Sequence, residues 1–206
     1  MSVKQLRCRD LAAGDIMLKV SDGSVLSRMI SFGQNLVGQR NGSVVHAGVL
    51  FDKTFMIEAS GRGVVANDLR VGNAKYGYLV FRARNPNLAK GAGTFAKVLF
   101  DVHQRGGNLS YSVAGAVGSL GSGPGQPKTR SQMDDMMDRI LAGKSHPNFC
   151  SQLVVMVYQF TAEQNGIPAK SIFPFSDPRV SPSELASHLT KGGMFREIGY
   201  VLPKER

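Results

Sequence analysis

The chain has 206 residues, of which 42% are hydrophobic, and it carries a formal net charge of +10. This length and composition suffice for one well-packed core, so we expect a single domain over residues 1–206. The positive charge favours an anionic partner, either an acidic cell-wall polymer or a phospholipid surface. We predict no nucleic-acid partner, since Lys and Arg are scattered, Trp is absent and no zinc-finger or RNP-like motif occurs.

The cysteine and histidine patterns argue against a metal site. The two cysteines, Cys8 and Cys150, form no CxxC pair, and free thiols are favoured over the alternative of a single bridge between them. No HExxH-type spacing links His103, His146 or His188. We therefore predict no metal and no cofactor.

The N-terminal residues and the hydropathy pattern bear on location. The first residues contain no apolar h-region, so we expect synthesis in the cytoplasm without a signal peptide. The chain has no run of about 18 apolar residues, so we predict no integral membrane segment. Action elsewhere would require export by another route, or a leader that has been removed.

The predicted elements mix strands and helices. Gly14 and Asp15 form a turn that leads into a short apolar strand. The other predicted elements, in chain order, are a helix at 24–36, a loop at 39–43, strands at 44–51, 54–60, 64–66 and 78–84, helices at 88–104 and 131–142, a helix that Asn148 caps and that residues 166–168 end, a short helix from Ser181 or Ser183, and a strand at 195–202. Residues 106–130 are rich in Gly, Ser and Pro, and predict either a substrate-facing flap or a surface connection.

The hairpin around Asp52 and Lys53 brings an imidazole near a carboxylate. A three-residue loop centred on Asp52 places His46 directly opposite Glu58, whereas a two-residue loop places it opposite Ala59. In the first register the two side chains share a face, so Glu58 could orient the ring and stabilise its protonated form. The alternative is a core histidine with Glu58 as its hydrogen-bond partner.

Cys150 begins a long apolar segment that follows Asn148, a favourable N-cap residue. In the first turn of a helix, unpaired N–H groups and the helix dipole favour a thiolate and lower the cysteine pKa below about 8.5. Cys150 is therefore a candidate nucleophile, although a free cysteine often just fills core space. His146 is a weaker candidate base than His46, because Pro147 interrupts any helix between it and Cys150.

Several short motifs occur in an order known from one enzyme superfamily. They are Gly14-Asp15-Ile16, His46-Ala47-Gly48-Val49, Ile57-Glu58-Ala59, Phe81-Arg82, Phe149-Cys150-Ser151-Gln152-Leu153-Val154 and Ser181-Pro182-Ser183-Glu184-Leu185. Over nearly the whole chain this order resembles the circularly permuted branch of the NlpC/P60 papain-like superfamily, in which the histidine strand precedes the cysteine helix. The chain departs from that pattern at Gln152, where relatives commonly carry Glu, and in its glycine-rich insertion.

The resemblance implies a papain-like α+β fold with a central antiparallel sheet packed by helices. It makes Cys150 the nucleophile at a helix N-terminus, His46 its base and Glu58 the orienting acid. The implied enzyme is a cysteine peptidase or amidase that acts through a thioester intermediate. We expect the Cys150 N–H to bind the oxyanion, with Tyr111 or Asn148 as the second donor.

The substrate is the least constrained part of the prediction. Family members include cell-wall peptide hydrolases, other amidases and enzymes that transfer acyl groups of lipids. The basic charge favours the anionic stem peptides of peptidoglycan, and an antibacterial effector that reaches a target periplasm would have a secretion apparatus and an immunity protein as partners. The alternatives are a lipid acyltransferase or thioesterase of the same fold, and a non-catalytic module that binds an anionic polymer.

Overall fold

The computed structural model describes residues 4–20, 44–60, 63–72, 76–105, 149–174 and 180–202. The strands in these ranges are β1 (Gln5–Leu6), β2 (Ile16–Val20), β3 (Val44–Leu50), β4 (Phe55–Ser60), β5 (Gly63–Asp68), β6 (Gly77–Ala83) and β7 (Phe195–Val201). The helices are a 3₁₀ turn (Cys8–Asp10), α1 (Pro86–Gln104), α2 (Phe149–Gln164), α3 (Ala169–Ile172) and α4 (Pro182–Lys191). The predicted helices at 24–36 and 131–142, and the loops at 39–43 and 106–130, lie outside the described residues.

The strands form one seven-stranded sheet in the order β1-β7-β6-β2-β3-β4-β5. All neighbours pair antiparallel except β1 and β7, which are parallel. The α+β class and the packing of helices on a sheet are confirmed, but the sheet is mixed and not antiparallel throughout. Gly199, at φ +143°, allows the parallel pair to form, because a Cβ at this position would lie only 2.1 Å from the Lys4 carbonyl oxygen. The same carbonyl accepts a hydrogen bond from the Tyr200 N–H at 2.9 Å.

The sheet buries apolar side chains on both faces. In β2, Ile16 and Leu18 belong to the larger core, which the helices cover, whereas Met17 belongs to a smaller cluster on the opposite face. This division follows the two-residue period of a strand. The apolar side of α1, including Phe95 and Leu99, packs into the larger core as its helical spacing predicts.

Capping residues set several helix boundaries. Asn85 accepts hydrogen bonds from the first turn of α1, and Pro86 occupies the next position, where its missing N–H costs nothing. Ser181, and not Ser183, caps α4 and forms a capping box with Glu184. Within the described ranges no helix is both long and apolar enough to cross a membrane.

A buried ion pair explains two of the sequence motifs. The Arg82 guanidinium binds the Asp15 carboxylate in a bidentate manner, with Nε to Oδ1 at 2.6 Å and Nη2 to Oδ2 at 2.7 Å. Asp15 is fully buried, and the neighbouring Gly14 carbonyl accepts a hydrogen bond from the hydroxyl of Tyr158 in α2. The turn before β2 is thereby joined to β6 and to the helix that carries Cys150.

Replacing Arg82 with Met is expected to lower the free energy of unfolding by about 2 to 4 kcal/mol, since it leaves the Asp15 carboxylate buried without its charge partner. Chemical denaturation followed by circular dichroism measures the change. Arg84→Met is the matched control, because Arg84 is exposed and a change there should stay within about 0.5 kcal/mol. Equal losses in both variants would contradict a stabilising role for the pair.

Candidate active site

His46 and Glu58 lie on the neighbouring strands β3 and β4 and form a direct hydrogen bond. The distance between His46 Nε2 and Glu58 Oε2 is 2.9 Å. The His46 side chain is 25% exposed and that of Glu58 is 12% exposed. Because Glu58 occupies Nε2, the imidazole has Nδ1 left to interact with another group.

The register of this hairpin differs from both predicted registers. Val49 pairs with Ile57, so the loop is centred on Lys53 and Glu58 comes opposite Gly48. His46 lies two residues before Gly48 in β3 and is therefore diagonal to Glu58. A shift of two residues keeps both side chains on the same face of the sheet, so the predicted contact forms although the predicted pairing with Glu58 or Ala59 is wrong.

Turn chemistry explains the register. The Asp52 carboxylate accepts hydrogen bonds from the backbone N–H groups of Thr54 and Phe55, at 2.7 and 2.8 Å. The Phe51 N–H donates to the Phe55 carbonyl at 3.1 Å and closes the loop. Asp52 therefore caps the turn from its first position and does not occupy its centre.

A β-bulge lies beside His46. Lys19 of β2 pairs with His46, but the next residue, Val20, pairs with Val44, so Val45 is an extra residue in β3. Bulges of this kind bend a strand and re-aim the neighbouring side chain, and they are common next to active sites. The bulge thus adjusts the direction of His46 at the end of the strand.

Cys150 lies in the first turn of α2, as its sequence position predicts, and is 3% exposed. Burial acts to raise the pKa of its thiol. A hydrogen bond with His46, the charge of the imidazolium, the Ala47 N–H and the Ser151 hydroxyl outweigh burial, and together they lower the pKa below its ordinary value. The Cys150 Sγ lies 3.9 Å from Ser151 Oγ.

The same contacts shift His46 in the opposite direction. Burial acts to lower the pKa of the imidazole, but hydrogen bonds with Cys150 and Glu58 and their negative charges raise it to about 9. A lowered cysteine pKa beside a raised histidine pKa is the electrostatic pattern that favours a thiolate–imidazolium pair over a neutral thiol and imidazole. Such a pair provides a nucleophile together with a proton donor.

One polar neighbour of the site was not among the sequence-predicted residues. The side-chain amide of Asn67, in β5, donates to Glu58 Oε1. In the β4–β5 pairing Glu58 lies opposite Val65, and Asn67 is two residues further along on the same face. A short connection between two strands fixes their register, so the sequence could have placed Asn67 on the same face as Glu58. Nothing in the local pattern around Asn67 indicates that it contacts the site.

The remaining sequence candidates divide into two groups. Tyr111 and Asn148, the expected oxyanion donors, lie outside the described residues, as does His146. His188, expected at the surface, is half-buried instead, with its Nε2 2.9 Å from the Ile172 carbonyl and its ring against Phe173. Among the described residues no group of three or more His, Cys, Asp or Glu side chains could hold a metal ion.

Comparison with known proteins adds no family assignment. No protein-family model matches the chain, and no curated protein matches it in sequence. The relation to the permuted NlpC/P60 branch therefore stays a prediction.

Replacing Glu58 with Gln should lower the His46 pKa from about 9 by about 1 to 2 units, because the imidazolium loses the carboxylate that stabilises it. The less stable imidazolium then leaves a smaller fraction of Cys150 as thiolate at pH 7. An NMR titration of the His46 ring measures the shift. Glu163→Gln serves as the control, since Glu163 lies near the other end of α2, about 20 Å from Cys150 along the helix axis. An unchanged His46 pKa in Glu58→Gln would contradict this electrostatic role.

Proposed function

We propose that this protein is a cysteine hydrolase, an amidase or endopeptidase that acts through a thioester intermediate. The observation that carries the proposal is the hydrogen-bonded array of Cys150, His46 and Glu58 at the first turn of α2. The opposed pKa shifts of Cys150 and His46 support an activated pair over a cysteine that merely fills the core. The nucleophile, the base and the orienting acid each have a partner suited to that role.

In the proposed reaction the Cys150 thiolate attacks the carbonyl carbon of an amide or ester and forms a tetrahedral intermediate. As the intermediate collapses, the carbon–nitrogen or carbon–oxygen bond breaks and the His46 imidazolium gives its proton to the leaving group. The acyl group remains on sulfur as a thioester. Neutral His46 then takes a proton from water, whose oxygen attacks the thioester and releases the acid and the thiolate.

The oxyanion of the intermediate needs hydrogen-bond donors. The first N–H groups of α2 have no partner within the helix, and the Cys150 N–H is one of them. The positive end of the helix dipole adds to their effect. We propose this N–H as one donor, with Asn148 or Tyr111 as the second.

The architecture supports a papain-like fold of the permuted type. The histidine strand β3 precedes the cysteine helix α2 in the chain, and α2 packs against the same sheet that contains β3. The His46 ring bridges strand and helix. We therefore propose membership of the circularly permuted NlpC/P60 branch and a single catalytic domain over residues 1–206.

Peptidoglycan stem peptides are the substrate that we propose. They contain amide bonds and free carboxylates, and the net charge of +10 would attract such an anionic polymer. An antibacterial effector that is delivered to a target periplasm, and neutralised in its producer by an immunity protein, is the setting that fits this substrate. Transfer of lipid acyl groups uses the same first chemical step and is the alternative.

Alkylation of Cys150 by iodoacetamide tests the chemistry without a substrate, in a chain with Cys8 replaced by Ser. We expect rapid reaction below pH 7, because the thiolate persists beside the imidazolium. In His46→Ala the pH midpoint of Cys150 alkylation should move to about 8.5, and the alkylation rate at pH 6 should fall at least about tenfold. If both proteins showed the alkylation pH profile of a free thiol, the result would contradict the cysteine hydrolase and favour a non-catalytic module.

The substrate is tested by incubating the protein with muropeptides or with phospholipid vesicles. Mass analysis of the muropeptides detects cleavage, and intact-mass analysis of the protein detects acylation of Cys150. Cleavage of muropeptides that is lost in Cys150→Ala supports the amidase. Acylation of Cys150 by phospholipid without muropeptide cleavage would favour the lipid acyltransferase over the amidase.

Directing the protein to the periplasm of a test bacterium should change the muropeptide profile in a Cys150-dependent manner, and an unchanged profile would contradict the effector proposal.

A further inference from the structure

The side chain of Asn67 contacts the carboxylate of Glu58 on the side away from His46. We infer that Asn67 is a positioning residue, which holds Glu58 so that one carboxylate oxygen always faces the imidazole. The inference rests on the proposed function and extends it by a fourth residue. Asn67 acts through Glu58 and His46 and is not assigned a contact with substrate.

The two oxygens of Glu58 have different partners. Oε2 is 2.9 Å from His46 Nε2, and Oε1 accepts from the Asn67 side-chain amide. The last torsion of a glutamate is broad, so a carboxylate with a single partner can rotate. A second donor on the other oxygen restricts that rotation and keeps Oε2 directed at the ring.

The backbone holds Asn67 in place. Residues 55–60 of β4 pair continuously with residues 63–68 of β5, and Asn67 pairs with Met56, two residues from Glu58. The donor therefore lies on a regular strand and not on a loop. Side chains supported by strands keep their geometry better than those on loops, which a positioning role requires.

A neutral amide suits this position better than a charged group. A Lys or Arg side chain would compete with the imidazolium for the Glu58 carboxylate and so lower the His46 pKa. An Asp would place a second carboxylate beside Glu58, and one of the two would tend to hold a proton. The Asn67 amide supplies a hydrogen bond without changing the charge on either side.

The experiment is a double-mutant cycle that uses the iodoacetamide pH profile in the chain with Cys8 replaced by Ser. The four proteins are the parent, Asn67→Ala, Glu58→Gln and the combination of both changes. If Asn67 acts through Glu58, Asn67→Ala should raise the pH midpoint of Cys150 alkylation by about 0.5 to 1 unit in the parent. The same change should have no measurable effect on that midpoint in Glu58→Gln. The rate at pH 6 should fall about three- to tenfold in the first case only.

Two further variants separate positioning from folding. Asn67→Thr keeps a residue that favours strands, but its hydroxyl is one bond shorter than the amide, so it should reproduce the Asn67→Ala shift with a native circular dichroism spectrum. Asn165→Ala removes an amide that donates to the Thr161 carbonyl at 2.7 Å, near the far end of α2, and should leave the profile unchanged.

The outcomes distinguish this inference from the proposed function. An activated parent profile with no Asn67 effect, or with equal shifts in the parent and Glu58→Gln, would overturn the positioning role and leave the cysteine–histidine pair intact. A free-thiol profile in the parent would overturn both. A shift in the parent that disappears without Glu58 is the result we expect.

Discussion

The attachment of α2 to the turn before β2 is the constraint on which the candidate site depends. The Tyr158 hydroxyl binds the Gly14 carbonyl, and the adjacent Asp15 is held by Arg82 of β6. Tyr158 lies about two turns beyond Cys150 in the same rigid helix. These bonds fix α2 to the turn before β2, and at the N-terminus of the same helix Cys150 lies against Ala47 and His46.

The site is organised as a chain of alternating donors, acceptors and charges. The Asn67 amide donates to Glu58, the Glu58 carboxylate faces the His46 ring, and the ring faces the Cys150 sulfur. Burial opposes each charge in this chain, because charged groups lose hydration there. Mutual stabilisation offsets that cost, and in the partly buried site each interaction is stronger than it would be in water. Catalysis through the proposed thioester would rely on this arrangement being present before substrate arrives.

Agreement between sequence and structure is best where a local rule applies. Alternating apolar residues predict β3 and β4, and helical spacing of apolar residues predicts α1 from residue 88, two residues after its start at Pro86. The register of the β3–β4 hairpin was missed by two residues because the Asp52 side chain caps the loop, which moves its centre to Lys53. The contact of His46 with Glu58 survives that error since strand faces repeat every two residues.

Strand β1 could not be predicted, because two residues carry no period and its partner β7 lies at the opposite end of the described chain. Asn67 likewise has no local signal, and its role depends on a second hairpin being added beside the first. The half-buried state of His188 depends in the same way on the Ile172 carbonyl and the Phe173 ring.

The sequence by itself determined the mixture of strands and helices, the position of Cys150 in the first turn of a helix and the placement of His46 and Glu58 on neighbouring strands of one hairpin. These features follow from hydrophobic period, from capping residues and from the two-residue repeat of a strand, which are all local. Only the tertiary structure decided that His46 meets Cys150, that Asn67 supports Glu58, and that the pKa values of the pair shift in opposite directions. Those outcomes depend on distances between elements far apart in the chain and on the loss of water around them, and neither quantity is expressed in a local pattern of residues.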